Sequence, residues 1–346
     1  MPLTQGTLDP LVSKSFPLSY TLDHEFKTLA NRYTPKCRSG PNSNKGTPCT
    51  LLLATGVSLN QELSLPLIKE LFRLADESPE VNIRSAWVIE RPNHGDAGLL
   101  NEETLIKHYV GKSCKYIMRI RAFLESDLLQ PADRVNIVGV AHSGGGGSLL
   151  QAMEPAVKDL PLSRIIFVES PHVGHEAAEN FLGLYAVVKS SNGRRPTRWA
   201  NKEDAMNWFK THVPSKTFHP DVWNVMSEAY FRPDLEYPGM ITTKTRIDQE
   251  TACFLDDGTN YNAFTYLRRI LNVLQTHLIV GDVLNIWPPA INKMIARNIE
   301  QDRPALASVA TIRGGGHYLP VQKPVETAIE IFRILSGNAR LPVSRL

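Results

Sequence analysis

Val135-Asn136-Ile137-Val138-Gly139-Val140-Ala141-His142-Ser143-Gly144-Gly145 runs from an apolar strand into a serine flanked by small residues. A short Val/Ile-rich run with little alternation suits a strand buried on both faces. A serine on a sharp strand-to-helix turn exposes its hydroxyl at the end of that strand, and strand and helix approach only if the positions two before and two after it are small. Ala141 and Gly145 hold those positions. Gly144 to Gly147 would each cost a helix ~1 kcal/mol relative to alanine. Glycines placed directly after a buried strand instead indicate close backbone approach to a reacting group. The Gly144 N–H, at a helix N-terminus, is then a candidate donor to developing negative charge.

Outward from this turn, further β-rich runs occur at 50–55, 83–90, 134–140, 164–168, 277–280 and 307–312. Helical patterns fall at 62–75, 102–128, 149–157 and 325–335. This alternation predicts an α/β chain with an open, mostly parallel, doubly wound sheet. Residues 16–22 and 26–33 suggest an antiparallel entry hairpin, and the Gly/Pro/Asn/Ser-rich stretch 35–48 a surface loop. The alternation breaks at 171–265, which carries Trp199, Trp208 and Trp223 and reads mostly as short helices. The expected organisation is a core of 1–170 and 266–341, an inserted helical lid at 171–265, and an exposed tail at 342–346. Such a lid would cover the C-terminal strand edge, where open α/β sheets bind ligands.

A serine hydroxyl is a weak nucleophile and needs a base. His317, in Arg313-Gly314-Gly315-Gly316-His317-Tyr318, follows the last expected strand on a glycine-rich loop that can carry the ring to Ser143. Two acids fit the chain order Ser–acid–His. Glu169 ends the strand after the serine turn, and Asp282 ends a later one, two residues short of the usual position at Leu284. An acid that must orient a ring tolerates little misplacement, which favours Glu169 over Asp282. After the first central strand, Thr55-Gly56-Val57-Ser58 offers the Val57 N–H as a second donor to an oxyanion. His142, beside the serine, and His94, in a loop after a strand, are candidate substrate-binding residues. Together these groups predict acyl transfer to water on a small-molecule acyl substrate.

The 346 residues carry 38 Lys+Arg against 35 Asp+Glu, a net +3, which gives no reason to expect nucleic acid. With 42% hydrophobic and 21% charged residues, the chain can build a sizeable core. Cys37, Cys49, Cys114 and Cys253 form no C-x-x-C pair; Cys37 and Cys49 could bracket a loop disulfide, but reduced thiols are the simpler expectation. No apolar run reaches the ~18–20 residues that span a bilayer, and residues 1–6 lack a secretory pattern. A soluble intracellular protein is expected. Ser344-Arg345-Leu346 is a one-residue variant of the S-K-L peroxisomal address, which implies an import receptor as partner. His172, His175 and Glu176 match no zinc motif, and the glycine-rich phosphate loops are absent, so no metal or cofactor is expected.

Glu90-Arg91-Pro92-Asn93-His94-Gly95-Asp96-Ala97, the serine turn, Phe167-Val168-Glu169-Ser170-Pro171, Gly316-His317-Tyr318-Leu319-Pro320 and the run 195–205 together resemble fungal peroxisomal α/β-hydrolases. That group includes hydrolases of host-selective toxin biosynthesis and the acyl-CoA hydrolase of mycophenolic acid biosynthesis. The likeness extends from about residue 33 to 320, plus the terminal tripeptide. It implies the α/β-hydrolase fold, a Ser–Asp/Glu–His triad whose acid follows the strand after the serine turn, and an acyl-CoA or ester substrate. That acid position is Glu169, where the mycophenolic relative has Asp. A lipase or carboxylesterase, or an idle ligand-binding member of the fold, is the rival reading.

Overall fold

The computed structural model describes residues 3–21, 23–37, 45–110, 116–255 and 259–338. The expected targeting residues Ser344, Arg345 and Leu346 lie outside them, as does Cys114. The strands are β1 (Leu11–Thr21), β2 (Glu25–Pro35), β3 (Thr47–Ala54), β4 (Val81–Ile89), β5 (Ile137–His142), β6 (Arg164–Val168), β7 (Arg198–Trp199), β8 (Phe231–Pro233), β9 (Ile241–Thr243), β10 (Gln275–Gly281) and β11 (Ser308–Ile312). Eight form one sheet in the order β1-β2-β4-β3-β5-β6-β10-β11. β1 and β2 are an antiparallel hairpin, β2 joins β4 antiparallel, and every pairing from β4 to β11 is parallel.

Alternate residues of the central strands feed two cores. Leu51, Leu53, Val138, Val140, Ile166 and Val168 pack with helices Leu65–Glu77 and Pro324–Leu335. Leu52, Ala54, Ile137, Ala141, Ile165 and Phe167 pack on the other face with helices Ile117–Glu125, Gly144–Met153 and Thr259–Ile270. Burying both faces explains why these strands read as continuous apolar runs. After β3 the chain moves out to β4 on one side and then returns across β3 to β5 on the other. That reversal of winding opens the crevice where ligands bind such sheets.

Several expectations need correction. The strand expected at 134–140 begins at Ile137, because Pro131–Arg134 forms a helical turn. The helix expected from 149 begins at Gly144 and includes all four glycines. Their propensity cost is overridden by packing: a Cβ on Gly145 would collide with the carbonyl oxygens of Ala54 and Thr55 at the end of β3. The pattern at 102–128 yields two helices, Glu102–His108 and Ile117–Glu125.

Between β6 and β10 the chain forms helices Ala178–Asn192, Lys202–Thr211, Pro220–Ala229 and Ile247–Ala252. It also forms a three-stranded antiparallel sheet, β7-β9-β8, which the sequence did not suggest. Strands of two or three residues are too short for a periodicity to register. Trp199, Phe209, Val222, Met226 and Phe231 join this insertion to the first core. Cys37, Cys49 and Cys253 are free thiols, and burial pushes the Cys49 thiol up to about 12.

Candidate active site

β5 ends at His142, and Ser143 turns the chain at φ 52°, ψ −133°, a left-handed value that few non-glycine residues adopt. Two backbone bonds hold the turn. The Ser143 N–H donates to Val168 O at 3.1 Å, and the Gly146 N–H donates to Ser143 O at 3.0 Å. The Ser143 hydroxyl lies 2.9 Å from His317 Nε2. These residues are 174 positions apart in sequence, so only the sheet could bring them together.

His317 follows β11 on the glycine loop, as its sequence context suggests. Its N–H donates to Asn285 Oδ1 at 3.1 Å, and Trp287 meets its ring edge-on at 4.8 Å between centroids. Glu169 comes off the end of β6 at φ 51°, also left-handed, with its N–H on Ile279 O at 3.0 Å. One carboxylate oxygen accepts the Gly281 N–H at 2.6 Å, and the other lies 3.4 Å from His317 Nδ1. With the acid facing Nδ1, the tautomer assigned from these partners carries its proton on Nδ1 and leaves Nε2 free to take one from serine.

The alternative acid is elsewhere. Asp282 is exposed, and its carboxylate accepts the Gly314 N–H at 2.7 Å. It braces the start of the histidine loop and has no bond to the ring. The two-residue displacement from the usual position is the physical reason.

His142 and His94, expected at a substrate, are engaged by protein partners. His142 is buried, and its Nε2–H donates to the His317 carbonyl at 2.7 Å, so it supports the histidine loop. His94 is fully buried with both ring nitrogens engaged, accepting the Ser58 N–H at 3.0 Å and pairing with Asn93 Oδ1 at 2.9 Å. Burial, aided by neighbouring positive charge, pushes both rings down to about 3, which keeps them neutral.

The loop after β3 lies against the nucleophile. A Cβ on Gly56 would collide with the His142 ring and stand 3.1 Å from Ser143 Cβ, so glycine is required there. Val57 follows this glycine in the chain, and Gly144 opens the helix after Ser143. Arg91 braces the same loop: its Nε donates to Thr55 O at 3.3 Å, while its guanidinium stacks 4.4 Å over Tyr116. No sequence pattern points to Asn285, Trp287 or Arg91 individually. Only Arg91, inside the quoted Arg-Pro-Asn-His-Gly run, left any trace.

A cavity of about 490 Å³ lies under the insertion; Ser143 and His317 do not line it, but Tyr318, next to His317, and Asn285, which bonds the His317 N–H, do, as does Ser58. Trp208, Phe218, Tyr230 and Phe254 supply much of its wall. A larger cavity, about 820 Å³, lies between helix Glu102–His108 and the small sheet, and neither Ser143 nor His317 lines it. Arg198, Arg232 and Arg246 on its wall each already pair with carboxylates.

His172, His175 and Glu176 diverge to different partners: Asp302, Asn262 and Asn298. Among the described residues no group of three or more His, Cys, Asp or Glu could hold a metal ion. No helix among them is long and apolar enough to cross a membrane.

Solved structures of other proteins share this fold. The peroxisomal alpha-beta-hydrolase Lpx1 of Saccharomyces cerevisiae superposes with TM-score 0.72 at 17% identity, over 98% of this chain and 93% of that one. The thioesterase domain from the curacin biosynthetic pathway gives 0.55 at 14% identity, over 93% and 99%. A carboxylesterase of the thaumarchaeon Nitrososphaera gargenis gives 0.55 at 13%, over 93% and 100%. At such identities the likeness is one of fold. No curated protein sequence matches the chain. The sequence profile of the Alpha/beta hydrolase family matches residues 56–330, from the loop after β3 to the last helix, and the chain belongs to that family.

Proposed function

We propose that this protein is a serine hydrolase that cleaves an acyl thioester or ester through an acyl-enzyme. The observation that carries the reading is the 2.9 Å contact between Ser143 Oγ and His317 Nε2, with Glu169 3.4 Å from the opposite ring nitrogen. Ser143 attacks the carbonyl carbon while His317 takes its proton. The Glu169 carboxylate holds the ring and favours the imidazolium that forms. The N–H groups of Val57 and Gly144 bear the charge on the tetrahedral oxygen. Collapse expels the thiol or alcohol, which receives the proton from His317. Water, deprotonated by the same imidazole, then attacks the acyl-serine and releases the acid.

The insertion expected at 171–265 acts here as a lid that excludes water and shapes the acyl site, up to helix Thr259–Ile270, which packs in the core instead. The substrate class we favour is acyl-CoA, in a peroxisomal enzyme of fungal secondary metabolism such as toxin biosynthesis. Its support is the resemblance of the 90–97, 167–171 and 316–320 runs. At a free C-terminus, Ser344-Arg345-Leu346 is the address for the peroxisomal import receptor. A fluorescent fusion lacking the tripeptide should lose punctate localisation.

One observation favours a neutral-ester substrate instead. Four arginines around the two cavities, Arg195, Arg198, Arg232 and Arg246, are matched by carboxylates, which leaves Arg194, donating to the Ser190 hydroxyl at 2.9 Å, as the cavity arginine open to a CoA phosphate among the described residues. Turnover of a panel of acyl-CoAs and p-nitrophenyl esters, with mass detection of the released acid, separates the readings. Ser143→Ala should abolish turnover in a folded protein; undiminished turnover overturns the assignment. Higher kcat/KM for acyl-CoAs than for neutral esters supports the thioesterase reading, and the reverse order supports the carboxylesterase.

A further inference from the structure

Ser58 is the residue after the expected oxyanion donor Val57, and it is tied down more completely than a surface loop requires. Its backbone is left-handed at φ 71°, a conformation that costs a residue with a Cβ and persists where surroundings over-determine it. Its N–H donates to His94 Nε2 at 3.0 Å, and its hydroxyl donates to Glu250 Oε1 at 2.7 Å. Glu250 belongs to the insertion, in helix Ile247–Ala252, and is buried.

The bonds close into a ring. His94 pairs with Asn93 Oδ1 at 2.9 Å, and Asn93 Nδ2 donates to Gln249 O at 3.1 Å, one residue before Glu250. Asn93, His94 and Gln249 are buried as well. On its far side Glu250 is held by Arg195, with Nη2–Oε2 at 2.7 Å and Nη1–Oε1 at 3.1 Å. Arg195 and Glu250 both line the 490 Å³ cavity.

A buried ion pair is weak evidence for stability, since desolvation offsets its attraction, but it fixes position well. Here it fixes the hydroxyl of the residue next to an oxyanion donor. The ring thus joins three separated segments: the loop after β3, the loop after β4 and the insertion.

We propose that Glu250 and Ser58 are positioning residues through which the inserted segment aims the Val57 N–H at the oxyanion. This rests on the serine-hydrolase reading above. The insertion then does more than cover the site: it completes the charge-stabilising half of it. A ligand contacting Arg195 or Glu250 acts on the same donor, so filling the cavity and stabilising the transition state are linked.

The decisive variant is Ser58→Gly. It removes the hydroxyl while relieving the left-handed strain, so the fold keeps or gains thermal stability. A short p-nitrophenyl ester, which leaves the cavity largely empty, is the probe. Losing the aim of one oxyanion donor should lower kcat by ~10–10²-fold with KM unchanged. Binding of a simple alkylboronic acid, whose serine adduct mimics the tetrahedral oxyanion, should weaken by the same factor. Glu250→Gln should reproduce both effects. A kcat and boronate affinity within about twofold of the parent in Ser58→Gly would overturn the proposal. If Ser143→Ala retained turnover, the hydrolase reading itself would fail, which is a separate outcome.

Discussion

The strand ends of the central sheet and the inserted segment make the site by different physics. At the sheet edge, the backbone does the placing. Ser143 and Glu169 stand at left-handed turns at the ends of β5 and β6, and His317 follows β11 on a glycine loop. Their relative positions follow from parallel strand register, which few side-chain changes can shift. In the insertion, placement depends on side chains: aromatic packing around Trp199, Trp208 and Phe209, and the Arg195–Glu250 pair. The sheet edge can therefore keep a chemistry fixed while the aromatic wall of the insertion varies what is admitted.

The largest effects should therefore come from the edge. Ser143→Ala or His317→Ala should lower kcat by at least ~10⁴-fold, with little change in unfolding, as steady-state and thermal-melt measurements would show. The two carboxylates sharpen the contrast within that region. Glu169→Gln should cost ~10³–10⁴-fold in kcat, because the ring loses its orienting charge. Asp282→Asn, which touches only the Gly314 N–H, should stay within about threefold of the parent. Equal losses in both would mean that the ring's partner is misassigned.

Substitution in the aromatic wall of the insertion, away from the Arg195–Glu250 pair, should act on selectivity. Trp208 lines the 490 Å³ cavity, and its indole stacks 4.2 Å from His212. Trp208→Ala should raise KM for large acyl groups by ~10-fold, about 1.4 kcal/mol of binding. It should leave kcat for a short ester nearly unchanged. A uniform fall in kcat for all substrates would place this wall in the chemistry instead.

The sheet edge was also the legible part. A buried apolar run that ends in Ala-x-Ser-x-Gly has one steric solution, so Ser143 could be read from eleven residues. His317 followed from chain order, and Glu169 from the displacement of Asp282. Side-chain partners had no such rule. The Glu250–Ser58 bond spans 192 positions, and nothing local marks either residue. His94 and His142 were visible as polar residues near the site, but whether a ring faces a ligand or a loop depends on packing. The helix pattern registers only from 149 because glycine propensity hides its first turn, although the close approach that those glycines indicate is present at Gly145.

The smallest expected effect concerns those two histidines and pH. Both rings are neutral in the fold down to about 3, whereas an ordinary histidine protonates near 6.5. Between those values the unfolded chain binds more protons than the native one. Their contribution to stability is complete above pH 6.5 and is lost as pH falls towards 3. Replacing His142 by Gln should flatten the fall in stability over that range, measured by urea unfolding at a series of pH values. An unchanged slope would show that this ring titrates in the fold as it does in the open chain.

The central claim is that the Ser143 hydroxyl, activated by His317, is the atom that becomes acylated. Labelling with a fluorophosphonate probe, followed by peptide mass mapping and residual-activity assay, tests it most directly. The account predicts one adduct per chain on Ser143, loss of hydrolysis in proportion to labelling, and strongly slowed labelling in His317→Ala. An adduct on another residue, or full hydrolysis by the labelled protein, would contradict it.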